Sequence, residues 1–128
     1  MEKIKIYFSS GMDTIHEMKP IAEKLLNKFT NQIEIYFPRN IDCYENLYVW
    51  TDIKKLIESD ILIYYIPKPT IGAASEVALF AYNKPHNISI GYRSINHGWL
   101  LELTKYRTNS EEVIYEIVDN YLETLKMM

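Results

Sequence analysis

At 128 residues the chain can bury one substantial core but not two, so residues 1–128 are expected to form a single domain. Apolar residues make up 48 % and charged residues 24 %, which argues against disorder, and a net charge of −3 gives no electrostatic reason to bind nucleic acid or an anionic membrane. The lone cysteine, Cys43, excludes an internal disulfide and a cysteine-based zinc site and fits a reducing compartment.

The elements then follow in chain order. "MEKIKIYF" runs straight into a strand pattern with no basic-then-apolar leader, and no apolar segment approaches membrane-spanning length; a soluble cytoplasmic protein is expected. "IKIYF" (4–8) is β-branched and aromatic and stops at "SSG". In "TIHEMKPIAEKLLNKF", Thr14 and Glu17 have capping-box spacing. Ile15, Met18, Ile21, Ala22, Leu25 and Phe29 form one helical stripe, which Pro20 is expected to kink. "IEIYF" (33–37) alternates as a strand and ends at Pro38, and residues 39–46 read as a loop.

"VWTDIKKLIES" is helical, with Val49, Ile53, Leu56 and Ile57 as its apolar stripe. "DILIYYI" (60–66) is nearly continuous in apolar residues, as in the centre of a parallel sheet. The "KPTIG" loop leads into the helix "AASEVALFAYN", and "NISIGY" is a fourth strand. "SINHGWLLEL" contains a short helix, "TKYRT" a short edge strand. The last helix carries Val113, Ile114, Ile117, Val118, Tyr121, Leu122 and Leu125 at helical spacing, with Asn109 and Glu112 placed as a capping box.

This alternation predicts an α/β fold: one doubly wound, flavodoxin-like or Rossmann-like parallel sheet of four to five strands with helices on both faces. Ligands of such sheets sit outside the carboxyl ends of the strands. "SSGMD", "KPTIG" and the segment after "NISIGY" should therefore meet at one edge.

Glu76 comes four residues after Gly72, in what reads as the first turn of its helix. There free N–H groups and the macrodipole would lower its pKa and keep it ionised. Such a carboxylate is either a helix cap or a nucleophile for an anomeric carbon, and the residues alone leave both open. Asp52 lies three after Val49 and four before Leu56, so it projects toward the apolar side rather than with Lys54 and Lys55. An inward carboxylate costs energy unless something uses it, or it caps a later-starting helix. Asp60 reads as a structural residue of a helix–strand turn. Ser9, Ser10 and Gly11 open a helix in a way that suits a phosphate or sugar oxygen, and Tyr7 sits near the end of its strand. His97 is a candidate for substrate or subunit contact. His16 and His86 share no ligand spacing with it, so no metal is expected.

Together these segments resemble the nucleoside 2-deoxyribosyltransferase family, and within it the 2'-deoxynucleoside 5'-phosphate N-hydrolase branch. The resemblance covers most of the first 85 residues, from "KIYFSSGM" through "TDIKKLIESDILIYYIPKPTIGAASEVALFAYNKP". It implies that Glu76 attacks C1' of a deoxyribose to give a glycosyl ester, later resolved by water or by another base. It also implies that Asp52 assists the departing base, that Tyr7 positions the nucleophile, and that Ser9, Ser10, Gly11, Thr70 and Gly72 line the substrate site. It implies no cofactor, a small nucleoside or nucleotide as substrate, and a homodimer or higher homo-oligomer, with Asn96 and His97 as candidate contacts from the neighbouring copy. The "KPTIG" loop lacks a further aspartate that transferases of free nucleosides carry, and "GMDTIHEM" lacks the arginine of the hydrolases. Beside this stand two other readings. One is an FMN- or nucleotide-binding flavodoxin-like module using "SSGMDT" as a phosphate loop. The other is a relative that cleaves NAD or handles nucleotide messengers.

Overall fold

Short runs rich in isoleucine and tyrosine pair into one all-parallel sheet in the computed structural model of the chain, which describes residues 2–38 and 47–128. Its strands, among the described residues, are β1 (Ile4–Ser10), β2 (Ile33–Tyr36), β3 (Ile61–Tyr65), β4 (Ile88–Tyr92) and β5 (Tyr106–Thr108), in the order β2-β1-β3-β4-β5. The helices are α1 (Lys19–Lys28), α2 (Leu47–Glu58), α3 (Ile71–Asn83), α4 (Gly98–Leu103) and α5 (Glu111–Lys126). The expected loop at 39–46, Cys43 included, lies outside the described residues.

Both faces of the sheet are covered, which is why its central strands read as continuous apolar runs. On one face Ile4, Ile6, Phe8, Ile61, Ile63 and Ile90 pack with α1 (Met18 just before it, Ile21, Leu25) and α5 (Ile114, Val118, Leu122). On the other, Tyr7, Leu62, Tyr64 and Ile66 pack against Leu56 of α2, Ala73, Val77 and Phe80 of α3 and Leu100 of α4. Each large apolar side chain withdrawn from water this way contributes about 1.5–3 kcal/mol before conformational entropy is subtracted.

Several helix boundaries differ from the sequence expectation. Residues Ile15–Met18 form a 3-10 turn before α1, and Thr14 makes no capping bond with its side chain. Pro20 falls in the opening positions of α1, where a missing N–H does no harm, so there is no mid-helix kink to explain. The N-cap of α5 is Ser110 rather than Asn109, which removes the expected capping box. In α2 only Leu56 of the predicted stripe is fully buried, whereas Val49 is 57 % and Ile57 37 % exposed. The inner face runs instead through Asp52, Ile53, Leu56 and Ser59.

Two details fix the interior strands of the sheet. Asp60 caps the start of β3: its carboxylate accepts from the Lys5 amide at 2.8 Å while its own amide donates to the Lys5 carbonyl. Gly91 is required by the core, because a Cβ there would lie 2.5 Å from the hydroxyl of the fully buried Tyr64. The chain leaves β1 toward β2 and leaves β3 toward β4, so the two neighbouring strands part in opposite directions. That divergence opens a crevice above their carboxyl ends.

Candidate active site

The crevice between β1 and β3 holds a carboxylate. Tyr7 and Ser9, two apart on β1, point to the same face of the sheet, the face covered by α3. Glu76 descends from α3 onto both. The Tyr7 hydroxyl donates to Glu76 Oε2, and Ser9 Oγ donates to Oε1 at 2.8 Å. Tyr7 and Ser9 are fully buried and Glu76 is half-buried.

Glu76 is the sixth residue of α3, whose first turn contains no acidic residue, because the extended Thr70 precedes a helix that begins at Ile71. It therefore lies past the free N–H groups that would have lowered its pKa. Burial dominates instead and pushes the carboxyl up from 4.5 to about 7; the bonds from Tyr7 and Ser9 pull it down, and the charge of Asp52 pushes it up. This corrects the expectation of a carboxylate held ionised by the helix dipole. Tyr7 is shifted upward as well, by burial and by the Glu76 and Asp52 charges, so it stays a proton donor.

Asp52 faces inward from α2, half-buried, four residues before the fully buried Leu56. Its Oδ1 accepts a 2.6 Å bond from the hydroxyl of Tyr36, the last residue of β2. Tyr36 lies beside Tyr7 in the parallel register, and their rings sit 5.4 Å apart at 34°. Sequence reasoning missed Tyr36. The available signal was its place at the end of the strand neighbouring the one that carries Tyr7.

The loops after β1 and β3 meet at the same edge. A Cβ at Gly11 would come within 3.2 Å of the Thr70 side chain, so glycine allows this approach. Gly72, by contrast, faces open space. Lys68 and Asp13, both exposed, bridge the two loops at 2.5 Å. Ser10 Oγ donates to the Tyr65 carbonyl at 2.7 Å and lies 2.6 Å from Thr14 Oγ1, and Thr70 Oγ1 donates to the Lys68 carbonyl at 3.1 Å. Thus Ser9 belongs to the glutamate, whereas Ser10, Gly11 and Thr70 gather on the rim.

Asn96 and His97 stand apart from this group. Asn96 Oδ1 accepts from Arg107 at 2.8 Å, and His97 Nδ1 accepts from the Trp99 amide at 3.2 Å, capping α4. His97 also lines an apolar cavity of about 250 Å³ between α3 and α4, together with Ile71, Ala74, Trp99 and Leu100. Among the described residues no group of three or more His, Cys, Asp or Glu side chains could hold a metal ion, and no helix is long and apolar enough to cross a membrane.

No protein-family model matches the chain, and no curated protein matches it either. Solved structures do. A conserved protein from Enterococcus faecalis V583 superposes with a TM-score of 0.74 at 18 % identity, covering 93 % of this chain and 99 % of that one. A 2-deoxyribosyltransferase from Bacillus psychrosaccharolyticus gives 0.68 at 14 % identity, covering 87 % and 90 %. A protein described as pilus assembly-related, from Burkholderia pseudomallei K96243, gives 0.58 at 9 % identity, covering 93 % and 89 %. At these identities the shared property is the fold alone, common to this chain, a 2-deoxyribosyltransferase and proteins of other descriptions.

Proposed function

We propose that the protein cleaves the N-glycosidic bond of a 2'-deoxynucleoside or its 5'-monophosphate, with Glu76 as nucleophile. The observation that carries this reading is the half-buried Glu76 carboxylate, held by Tyr7 and Ser9 at the β1/β3 crevice with the Asp52 charge acting on it. Such a carboxylate has no evident structural use, since α3 does not need it as a cap. The fold shared with a 2-deoxyribosyltransferase agrees with this reading.

In the first step a Glu76 oxygen bonds to C1', and the C1'–N bond breaks with its electron pair leaving on the base. A proton from solvent passes by way of Asp52 to that base, so that it departs neutral. In the second step water, or a nitrogen of an incoming base, attacks C1' and returns the electron pair to Glu76; the proton it sheds goes to Asp52. Tyr7 and Ser9 hold the carboxylate in line throughout and stabilise its negative charge as it is released. A carboxyl titrating at about 7 is a stronger nucleophile, once ionised, than one titrating at 4.5.

Ser10, Gly11 and Thr70 form the rim on which a 5'-phosphate or 5'-hydroxyl would rest. Lys68 is the nearby cation once it parts from Asp13. The α2–α3–α4 layer leaves Val49, Trp50, Ile71 and Trp99 exposed, which suits a second copy of the chain across the open side of the site, where Asn96 and His97 would face it.

Chromatography of the protein incubated with each 2'-deoxynucleoside 5'-monophosphate, and separately with each deoxynucleoside plus a different free base, tests the proposal. Free base with deoxyribose 5-phosphate identifies a nucleotide hydrolase, and a new nucleoside identifies a transferase. No cleavage in either set refutes the reaction, and flavin-coloured protein or nicotinamide released from NAD would replace it.

A further inference from the structure

The bond from Tyr36 to Asp52 has no place in the chemistry above, yet its geometry is specific. Asp52 sits on α2, and the contact that orients its carboxylate comes from a different element, the end of β2. Tyr36 is itself fixed from several sides. Its backbone is locked in register with Tyr7, its ring rests against the Tyr7 ring, and the Lys55 ammonium, carried by α2, lies 6.0 Å from its centroid. A half-buried tyrosine so placed has little freedom to swing its hydroxyl elsewhere.

We infer that Tyr36 is a positioning residue for the leaving base, acting through Asp52; this rests on the glycosidic reading above. By donating to Oδ1 at 2.6 Å, Tyr36 fixes the rotation of the Asp52 carboxyl about its Cβ–Cγ bond. The other oxygen, Oδ2, then has one direction in which to meet the nitrogen that must take the proton. The Tyr7–Tyr36 ring contact ties this arm to the arm that holds Glu76. The nucleophile and the carboxylate that relays the proton are thereby set against each other through two adjacent strands, at a spacing that β1–β2 pairing dictates. A neutral phenol is suited to the task, because it restrains the carboxylate without adding a charge beside Glu76.

The test uses Tyr36→Phe, which keeps the ring and its contacts and removes only the hydroxyl. Wild type, Tyr36→Phe, Asp52→Asn and the double variant are assayed with a deoxynucleoside or its monophosphate, and with 4-nitrophenyl 2-deoxyriboside, whose 4-nitrophenolate leaving group needs no proton. The expected result for Tyr36→Phe is a fall in kcat on the order of ten- to a hundredfold with the natural base and KM within about twofold. The nitrophenolate substrate should lose less than about threefold, and Tyr36→Phe should cost nothing further when added to Asp52→Asn.

An equal loss with both leaving groups, or a full additional loss in the Asp52→Asn background, would make Tyr36 a packing residue and overturn the inference. Tyr36→Phe at wild-type rates beside a slow Asp52→Asn would overturn it too, and would leave the glycosidic reaction standing. A wild-type protein that cleaves none of these substrates overturns both.

Discussion

Replacing Glu76 by glutamine should make the protein more stable while stopping its chemistry. In the folded state burial holds the Glu76 carboxyl at about 7, against 4.5 when it is free in water. Between those values the folded chain keeps a proton that the unfolded chain has released. The stability associated with the protonated carboxyl is therefore complete below about pH 4.5 and is lost as pH rises through about 7. The full linkage amounts to about 3 kcal/mol, and water reaching a half-buried side chain reduces it to about 2 kcal/mol. Glutamine stays neutral at every pH, and its oxygen and amide can still meet the two hydroxyls of Tyr7 and Ser9.

The assay is urea unfolding of wild type and Glu76→Gln at half-unit steps from about pH 4.5 to 8.5, the range that brackets the linkage. Taking the difference between the two cancels the titration of the histidines. That difference should be near zero at the acid end and grow with pH. By about pH 8 it should favour the variant by about 2 kcal/mol, equivalent to roughly 5–10 °C in melting temperature. A constant difference across the range, or a variant that is the less stable at the alkaline end, would refute the claim that this carboxyl is forced into a water-poor site.

Other consequences are as direct. In the wild type, kcat/KM should rise through about pH 7 as Glu76 ionises; an acid limb at the ordinary glutamate value would contradict the burial argument. The Tyr7 bond lowers the Glu76 pKa, so Tyr7→Phe should move that limb to higher pH, which a pH–rate profile reads. Asp52→Asn should slow release of the base more than it weakens binding, seen as a fall in kcat with little change in KM. Gly91→Ala drives a methyl into the buried Tyr64 hydroxyl and should cost about 1–3 kcal/mol of stability by denaturant unfolding; a variant as stable as the wild type would contradict that close approach.

The parallel sheet was legible in the sequence because its strands are short, apolar and separated by helical stripes, whereas the strand order β2-β1-β3-β4-β5 came only with the structure. Asp52 could be placed inward from its spacing to Leu56, even though Val49 and Ile57, expected inward with it, face outward. The stripe misled because α2 covers the sheet along a line shifted toward Ser59, and only packing against β1 and α3 reveals that shift. The position of Glu76 was legible, but its electrostatics were not. Local reasoning put it in the first turn of its helix and supplied a dipole, whereas α3 begins at Ile71, Glu76 lies in the second turn, and burial raises its carboxyl. Tyr36 was hidden too. Among 11 tyrosines, it is singled out by strand register and a bond to a residue sixteen positions on.

The central claim is that Glu76 forms the bond to C1', and the most direct measurement is the mass of the protein quenched in acid during turnover. Wild type should carry an added deoxyribosyl or 5-phosphodeoxyribosyl group on the peptide containing Glu76, while Glu76→Ala, folded as the wild type, carries none and releases no base. An adduct on another residue, or an alanine variant that turns over at the wild-type rate, would contradict the account.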